Sequence, residues 1–319
     1  MRAFTKTKYG GPEVLTLEEV PKPVVSEDSV LVKVKANSAN PADWHILRGT
    51  PWFARLTFGL LRPKDRILGA DFSGIVEEVG EKVGQFQIGD RIFGETLMGG
   101  AFAEYLVAKE QVCGKMPPGA RFDEMACVPI AGLTALQALT SQGKLKKGES
   151  VLINGASGGV GHYAVQLAKV FGAIVTAVCS TRNLDFVRSL GADLVIAYDR
   201  EDIRQHQGDY DLVVDIHGNL SHRDFTRMGK RGVLVGFTTM GHMMTVMLKG
   251  AFSKFPLTQF TARANTNDLE TLATLIQDNK IKVYIEKRYS FREIPKAISD
   301  MEKMRTRGKV AMIWEEDGL

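Results

Sequence analysis

The stretch NGASGGVGHYAVQLAK (154–169) places Gly155, Gly158, Gly159 and Gly161 within eight positions, and it constrains the fold more than any other segment. Before it, SVLINGA (150–156) is a β-branched apolar run. After it, Val160, Ala164, Val165, Leu167, Ala168 and Phe171 recur at helical spacing up to Gly172, a residue suited to end a helix. The order is strand, glycine turn, helix. In the frame G-x-G-x-x-G the three key positions fall on Ala156, Gly158 and Gly161, so an alanine replaces the first glycine. Gly158 would let the backbone approach a pyrophosphate, and Gly161 would let helix and strand pack closely. Free N–H groups at the helix start would receive the negative charge. A glycine-rich turn alone is a weak signal. Here AIVTAVC, DLVIAY, YDLVVDI and GVLVGF follow, separated by helical stretches, which is the rhythm of a parallel sheet with crossover helices.

The rest of the chain has a different rhythm. SVLVKVKA (29–36) alternates, FSGIVEEVG (72–80) and EYLVAKEQV (104–112) are apolar runs, and Gly-Asp or Pro-Gly pairs punctuate them, so the first third is β-rich. Toward the end, NDLETLATLIQDNK (267–280) and REIPKAISDMEKMRT (292–306) are amphipathic helices and KVAMIW (309–314) is a terminal strand. A length of 319 residues accommodates two domains with their own cores. Their borders are expected in short loops near PPGARFDEM and around 263.

Charge and cysteine content exclude several classes. The net charge of +4 is small and dispersed, which argues against nucleic acid and for a small-molecule ligand. Cys113, Cys127 and Cys179 form no CxxC and no even framework, so neither a disulfide scaffold nor a cysteine-rich zinc site is available, and a reducing, cytoplasmic setting fits. No signal-peptide layout and no run of 18 apolar residues appear, so no membrane span is expected.

Cofactor choice is written after the second strand of the sheet, where an acidic residue would grip the ribose diol of NAD. AVCSTRN (177–183) stands there without an acid. Ser180 can donate to a 2′-phosphate and Arg182 can pair with it through its planar fork, so the site reads as NADP, with Asp185 the rival pointing to NAD.

Seven motifs in order, YGGPEVL (9–15), NPADWHILRG (40–49), LGADFSGIVEEVG (68–80), GDRIFG (89–94), AGLTALQAL (131–139), ASGGVG (156–161) and SLGAD (189–193), resemble the zinc-independent medium-chain dehydrogenase/reductases, in their quinone oxidoreductase (zeta-crystallin-like) branch. The resemblance implies an α/β protein: a GroES-like β-rich catalytic domain over 1–122, a Rossmann doubly wound parallel-sheet domain binding NADPH over 123–264, and a C-terminal segment, 265–319, returning to the first domain. It places Ser157, Gly158, Gly159 and Val160 at the pyrophosphate and Ser180, Arg182 and Tyr198 around the adenosine phosphate. Asn40 and Thr134 fall near the nicotinamide and Phe237 near its carboxamide; Tyr198 and Phe237 are equally explained as a strand-end aromatic and a core residue. Zinc-dependent relatives carry a Gly-His-Glu motif where this chain has Gly69, Ala70 and Asp71, and Ala70 coordinates nothing, so no metal is expected. His45 replaces a tyrosine found in some relatives and is read either as a proton donor or as a loop histidine satisfied locally.

Without a Lewis acid a bare alkoxide is hard to stabilise, which favours reduction to a delocalised product anion. The expected reaction is hydride transfer from NADPH to a quinone or an α,β-unsaturated carbonyl, with Asn40, His45 and Thr134 at the reacting end. An enoyl-thioester reductase and a non-catalytic NADPH-binding sensor or structural protein are the alternatives. The methionine-rich stretch 240–255 either roofs the substrate pocket or is a buried helix or subunit interface. The resemblance also implies a homodimer, with PLTQFTA (256–262) as the pairing edge.

Overall fold

The computed structural model describes residues 1–96, 99–205 and 208–314. The chain forms two compact units: residues 1–130, 264–278 and 283–319 make the first, and 131–263 with 279–282 make the second.

The first unit begins with an antiparallel pair, β1 (Arg2–Thr5) and β2 (Thr16–Glu19). β3 (Ser29–Ser38), β4 (Asp71–Val79), β5 (Arg91–Glu95), β6 (Tyr105–Lys109) and β7 (Cys113–Lys115) follow, with the helix Pro41–Arg48 between β3 and β4. Antiparallel pairing links β3 to β4, β4 to β5 and β5 to β7, while β6 pairs with β3. Phe72, Ile92, Phe102 and Leu106 fill the core beneath these strands.

In the second unit β8 (Ser150–Asn154), β9 (Ile174–Cys179), β10 (Leu194–Ala197), β11 (Leu212–Asp215), β12 (Gly232–Leu234) and β13 (Leu257–Gln259) form one parallel sheet. Its order is β10-β9-β8-β11-β12-β13, the doubly wound arrangement expected from the alternating apolar runs. All four residues of β11 are buried, as are the last four of β8, because crossover helices cover both faces; the edge strands β10 and β13 are more open. Leu152, Val178, Val213, Phe225, Leu234 and Val246 make its core. The methionine-rich stretch is the helix Met240–Ala251, which packs Met243, Val246 and Met247 on that core and leaves Met244 and Leu248 exposed.

The chain then returns to the first unit. β14 (Ile285–Ser290) and β15 (Lys309–Ile313) pair in parallel, and β15 pairs antiparallel with β3, so the last strand joins the first sheet. Phe291 and Trp314 stack at 4.2 Å within its core. The first unit runs to Ile130, beyond the border expected at 122. Ser73 Oγ donates to Phe122 O at 2.7 Å, Arg288 donates to Asp123 at 2.6 Å, and the Ile130 N–H donates to Asp71 at 3.0 Å, which ties this segment to the first sheet. Residues 279–282 side with the second unit, where the Gln166 amide brackets the backbone of Lys282. Among the described residues no helix is long and apolar enough to cross a membrane.

Candidate active site

The glycine cluster sits at the carboxyl end of β8. Gly155 adopts φ +90 and makes the sharp exit from the strand, a task the fingerprint frame assigned to the neighbouring Ala156, which is buried. Gly158 caps the helix Gly159–Val170. A Cβ at Gly158 would meet only Gly155 O, at 3.6 Å, so that face is open to a ligand. A Cβ at Gly161 would stand 2.1 Å from Gly155 O and 2.6 Å from Ala156 C, so glycine is required there by close packing. Gly159 and Val160 open the helix, where an α-helix offers its first-turn N–H groups no acceptor one turn back. These features fit a dinucleotide pyrophosphate.

The second turn is tied to the first. Asn183 Nδ2 donates to Ser157 Oγ at 3.0 Å and to Ser180 Oγ at 3.2 Å, so the two serines are held together by one buried amide. Arg182 is exposed beside them, and the Tyr198 N–H donates to Cys179 O at 3.0 Å, which brings the exposed Tyr198 ring to the end of β9. Asp185 pairs with Arg188 one helical turn along, at 3.0 Å. The carboxylate at this strand end is Asp199, which accepts from the N–H and Oγ1 of Thr181 at 2.9 and 2.8 Å; those bonds hold it below the usual carboxylate range. Sequence reasoning missed Asp199 because it follows the third strand of the sheet, outside the window where a ribose ligand is sought.

Farther along the same sheet edge, the buried Asp215 accepts from Asn154 Nδ2 and from the N–H groups of Gly218 and Leu220, each at 2.8 Å. Burial pushes its carboxyl upward against those bonds. The network fixes the loop leading to Phe237, whose Cα and the carbonyl of Gly236 lie 2.3 Å from where a Gly218 Cβ would stand. Thr134, in the second unit, lies half-buried in the helix Pro129–Gln137.

In the first unit, Asn40 precedes the helix Pro41–Arg48 and is 2% exposed. Its Nδ2 donates to Asp71 Oδ2 at 2.8 Å, and its Oδ1 accepts from Lys309 Nζ at 2.6 Å. Lys309 Nζ also lies 3.4 Å from Asp71 Oδ2 and from Ala39 O. The Asn40 N–H donates to Asp43 Oδ2 at 2.7 Å, and Asp71 Oδ1 takes the Ile130 N–H. Burial raises the carboxyls of Asp43, to about 7, and Asp71. Glu95, directly opposite Asp71 across β4 and β5, is pushed to about 8 by burial and by the Asp71 and Asp43 charges. His45 stacks on Trp44 at 3.7 Å with Nδ1 3.4 Å from Thr50 Oγ1, and burial lowers its pKa, so its imidazole is neutral at neutral pH. Asp43, Asp71, Glu95 and Lys309 had not been assigned roles from the sequence. Lys309 was visible only as the first residue of a strand, since nothing in the local pattern shows which distant carboxylate it meets.

Residues 26–118 match the alcohol dehydrogenase GroES-like domain family, and residues 190–312 match the zinc-binding dehydrogenase family. The chain is 36% identical over 304 residues to the chloroplast envelope quinone oxidoreductase homolog of Arabidopsis thaliana, covering 91% of each chain. It is 32% identical over 329 residues to an NADPH-dependent alkenal/one oxidoreductase, chloroplastic, of the same plant, covering 98% of this chain and 79% of that one. The solved quinone oxidoreductase from Coxiella burnetii superposes with a TM-score of 0.89 at 31% identity, covering 99% of each chain.

The zinc in the second family's description does not fit the residues present. Ala70 stands where an imidazole would be required, and the Lys309 ammonium already occupies the neighbouring carboxylate. Cys113, Cys127 and Cys179 are buried with thiols pushed upward by burial, Cys127 to about 12 and Cys179 to about 11. Among the described residues no three His, Cys, Asp or Glu side chains gather as a metal cage.

Proposed function

The chain belongs to the medium-chain dehydrogenase/reductase superfamily, in its quinone oxidoreductase branch, and from that premise we propose that it is an NADPH-dependent, zinc-independent reductase of quinones and α,β-unsaturated carbonyls. The observation that carries the reading is the open face at Gly158 with the Ser157–Asn183–Ser180 linkage behind it. Bound at this turn, NADPH supplies the hydride.

The chain's own residues bind, orient and stabilise. Gly158, Gly159 and Val160 offer backbone to the pyrophosphate, and Ser157 reinforces the turn. Ser180 and Arg182 meet the 2′-phosphate, with Tyr198 flanking the adenosine; the Thr181 bonds occupy Asp199 and reduce its competition for the ribose. Thr134 and Phe237 position the nicotinamide end. Asn40 donates an amide N–H to the oxygen on which negative charge gathers as hydride is accepted. Neutral His45 serves as a hydrogen-bond donor near the entering carbonyl, and water completes protonation of the product.

The edge position of β13 supports a homodimer formed by pairing at 256–262, and three buried thiols suit a reducing, cytoplasmic compartment. The decisive experiment follows NADPH absorbance against a para-quinone, an ortho-quinone and a set of enones, with NADH as control and with a chelator present. Faster turnover with NADPH, untouched by chelation, is expected. Preference for NADH refutes the assignment of Ser180 and Arg182, and binding without turnover refutes the enzymatic reading. Sedimentation as a monomer removes the dimer.

A further inference from the structure

The amide of Asn40 lies between a cation and an anion: Oδ1 accepts from Lys309 Nζ at 2.6 Å while Nδ2 donates to Asp71 Oδ2 at 2.8 Å. A flipped amide would turn its NH2 toward the ammonium and its carbonyl toward the carboxylate, two repulsive meetings in a buried site. Lys309 is 3% exposed and Asp71 fully buried, so water does little to weaken that preference. The sheet itself brings these groups together, because β15 pairs with β3 and delivers Lys309 from the far end of the chain to the residue that leaves β3.

We infer that Lys309 is a positioning residue for the reduction: with Asp71 it locks the Asn40 amide so that Nδ2 keeps one N–H for substrate, and its charge on Oδ1 makes that N–H a stronger donor. The inference rests on the reading of Asn40 as the donor to the developing oxyanion. The three ammonium hydrogens of Lys309 are taken by Ala39 O, Asn40 Oδ1 and Asp71 Oδ2, so Lys309 acts through Asn40 and does not itself touch substrate. An amide carbonyl that accepts from a cation shifts electron density away from its nitrogen, the same cooperative strengthening found along hydrogen-bond chains. In this arrangement a fixed internal cation stiffens and polarises a donor, with no metal bound to the substrate oxygen.

The test is a double-mutant cycle on the full-length protein. Lys309→Met combined with Asp71→Asn removes both buried charges together, which avoids stranding either one, and Lys309→Arg serves as the conservative rescue. With NADPH and a para-quinone, Asn40→Ala is expected to lower kcat about 100-fold, the effect of losing one oxyanion donor. The Lys309→Met/Asp71→Asn pair is expected to lower kcat about 10-fold with NADPH affinity unchanged, since the amide remains but turns freely. The triple variant is expected to have the same kcat as Asn40→Ala alone, down about 100-fold from the parent, and Lys309→Arg is expected to recover most of the rate. Losses that multiply, or a Lys309→Met/Asp71→Asn enzyme with unchanged kcat, overturn the inference.

A second readout does not depend on turnover. The side-chain amide 15N–1H signals of Asn40, assigned by their disappearance in Asn40→Ala, are expected to shift and to exchange faster in Lys309→Met/Asp71→Asn; unchanged signals overturn the inference. An enzyme with no NADPH-dependent turnover at all refutes the proposed function, while the amide signals still decide whether Lys309 and Asp71 hold Asn40.

Discussion

Replacing Glu95 by glutamine should make the protein more stable, and increasingly so as pH rises. Glu95 is 5% exposed and faces Asp71 across adjacent strands, with like charges directly opposite. Its carboxyl is raised from 4.5 to about 8 by burial first and by Asp71 and Asp43 second. For an acid whose folded pKa lies above its unfolded value, the contribution to stability is complete below the unfolded pKa. It is lost progressively up to the folded pKa. The window here runs from 4.5 to about 8. Each pH unit inside it costs about 1.4 kcal/mol, so between pH 6 and pH 9 the native protein loses about 3 kcal/mol through this group. Glu95→Gln keeps the shape and removes the titration. The stability difference between variant and parent should therefore grow by about 3 kcal/mol across that interval, whatever its value at pH 6. Urea unfolding followed by fluorescence at pH 6, 7, 8 and 9 measures it. Parallel pH profiles for the two proteins would refute the argument, because they would mean that Glu95 is ionised at little cost in the fold.

Other outcomes follow from the same geometry. Gly161→Ala puts a Cβ 2.1 Å from Gly155 O, so helix and strand must separate; a loss of about 1–3 kcal/mol and weaker NADPH binding are expected by thermal unfolding and fluorescence titration. Arg182→Ala should raise the NADPH dissociation constant about 10-fold and leave that for NADH nearly unchanged, narrowing the preference measured by titration. His45, with its pKa lowered below 6.5, is neutral across pH 7–9, so His45→Gln should leave the kcat–pH profile in that range without a lost limb while lowering its height. A limb near neutrality that disappears in His45→Gln would instead identify it as a charged acid.

The glycine turn was legible because its physics is local. A strand, a glycine turn and a phased helix lie within about two dozen consecutive residues, and Gly161 is demanded by a backbone atom six residues away. Even so, the sharp turn belongs to Gly155, while the frame assigned that position to Ala156. Five of the six parallel strands were equally readable as short apolar runs, whereas the partly exposed β13 was read only as a pairing edge. The helix Pro41–Arg48 was less evident; its eight residues bury only Asp43 and Leu47, too few to stand out as a stripe.

The sequence by itself therefore determined the fold class, the glycine turn after β8 and the identities of Asn40, His45 and Ser180 as polar groups at recognisable motifs. Only the tertiary structure decided what surrounds them. Asp43, Asp71, Glu95 and Lys309 come from four separate stretches, and sheet pairing buries their side chains in one small region of the first unit. The protonation of the three carboxyls arises from desolvation and from charges brought near by long-range pairing, and the hydrogen bonds of Asp71 and Lys309 orient Asn40. A chain read in order carries the charges but not their distances, and in a low-dielectric interior distance sets the energy.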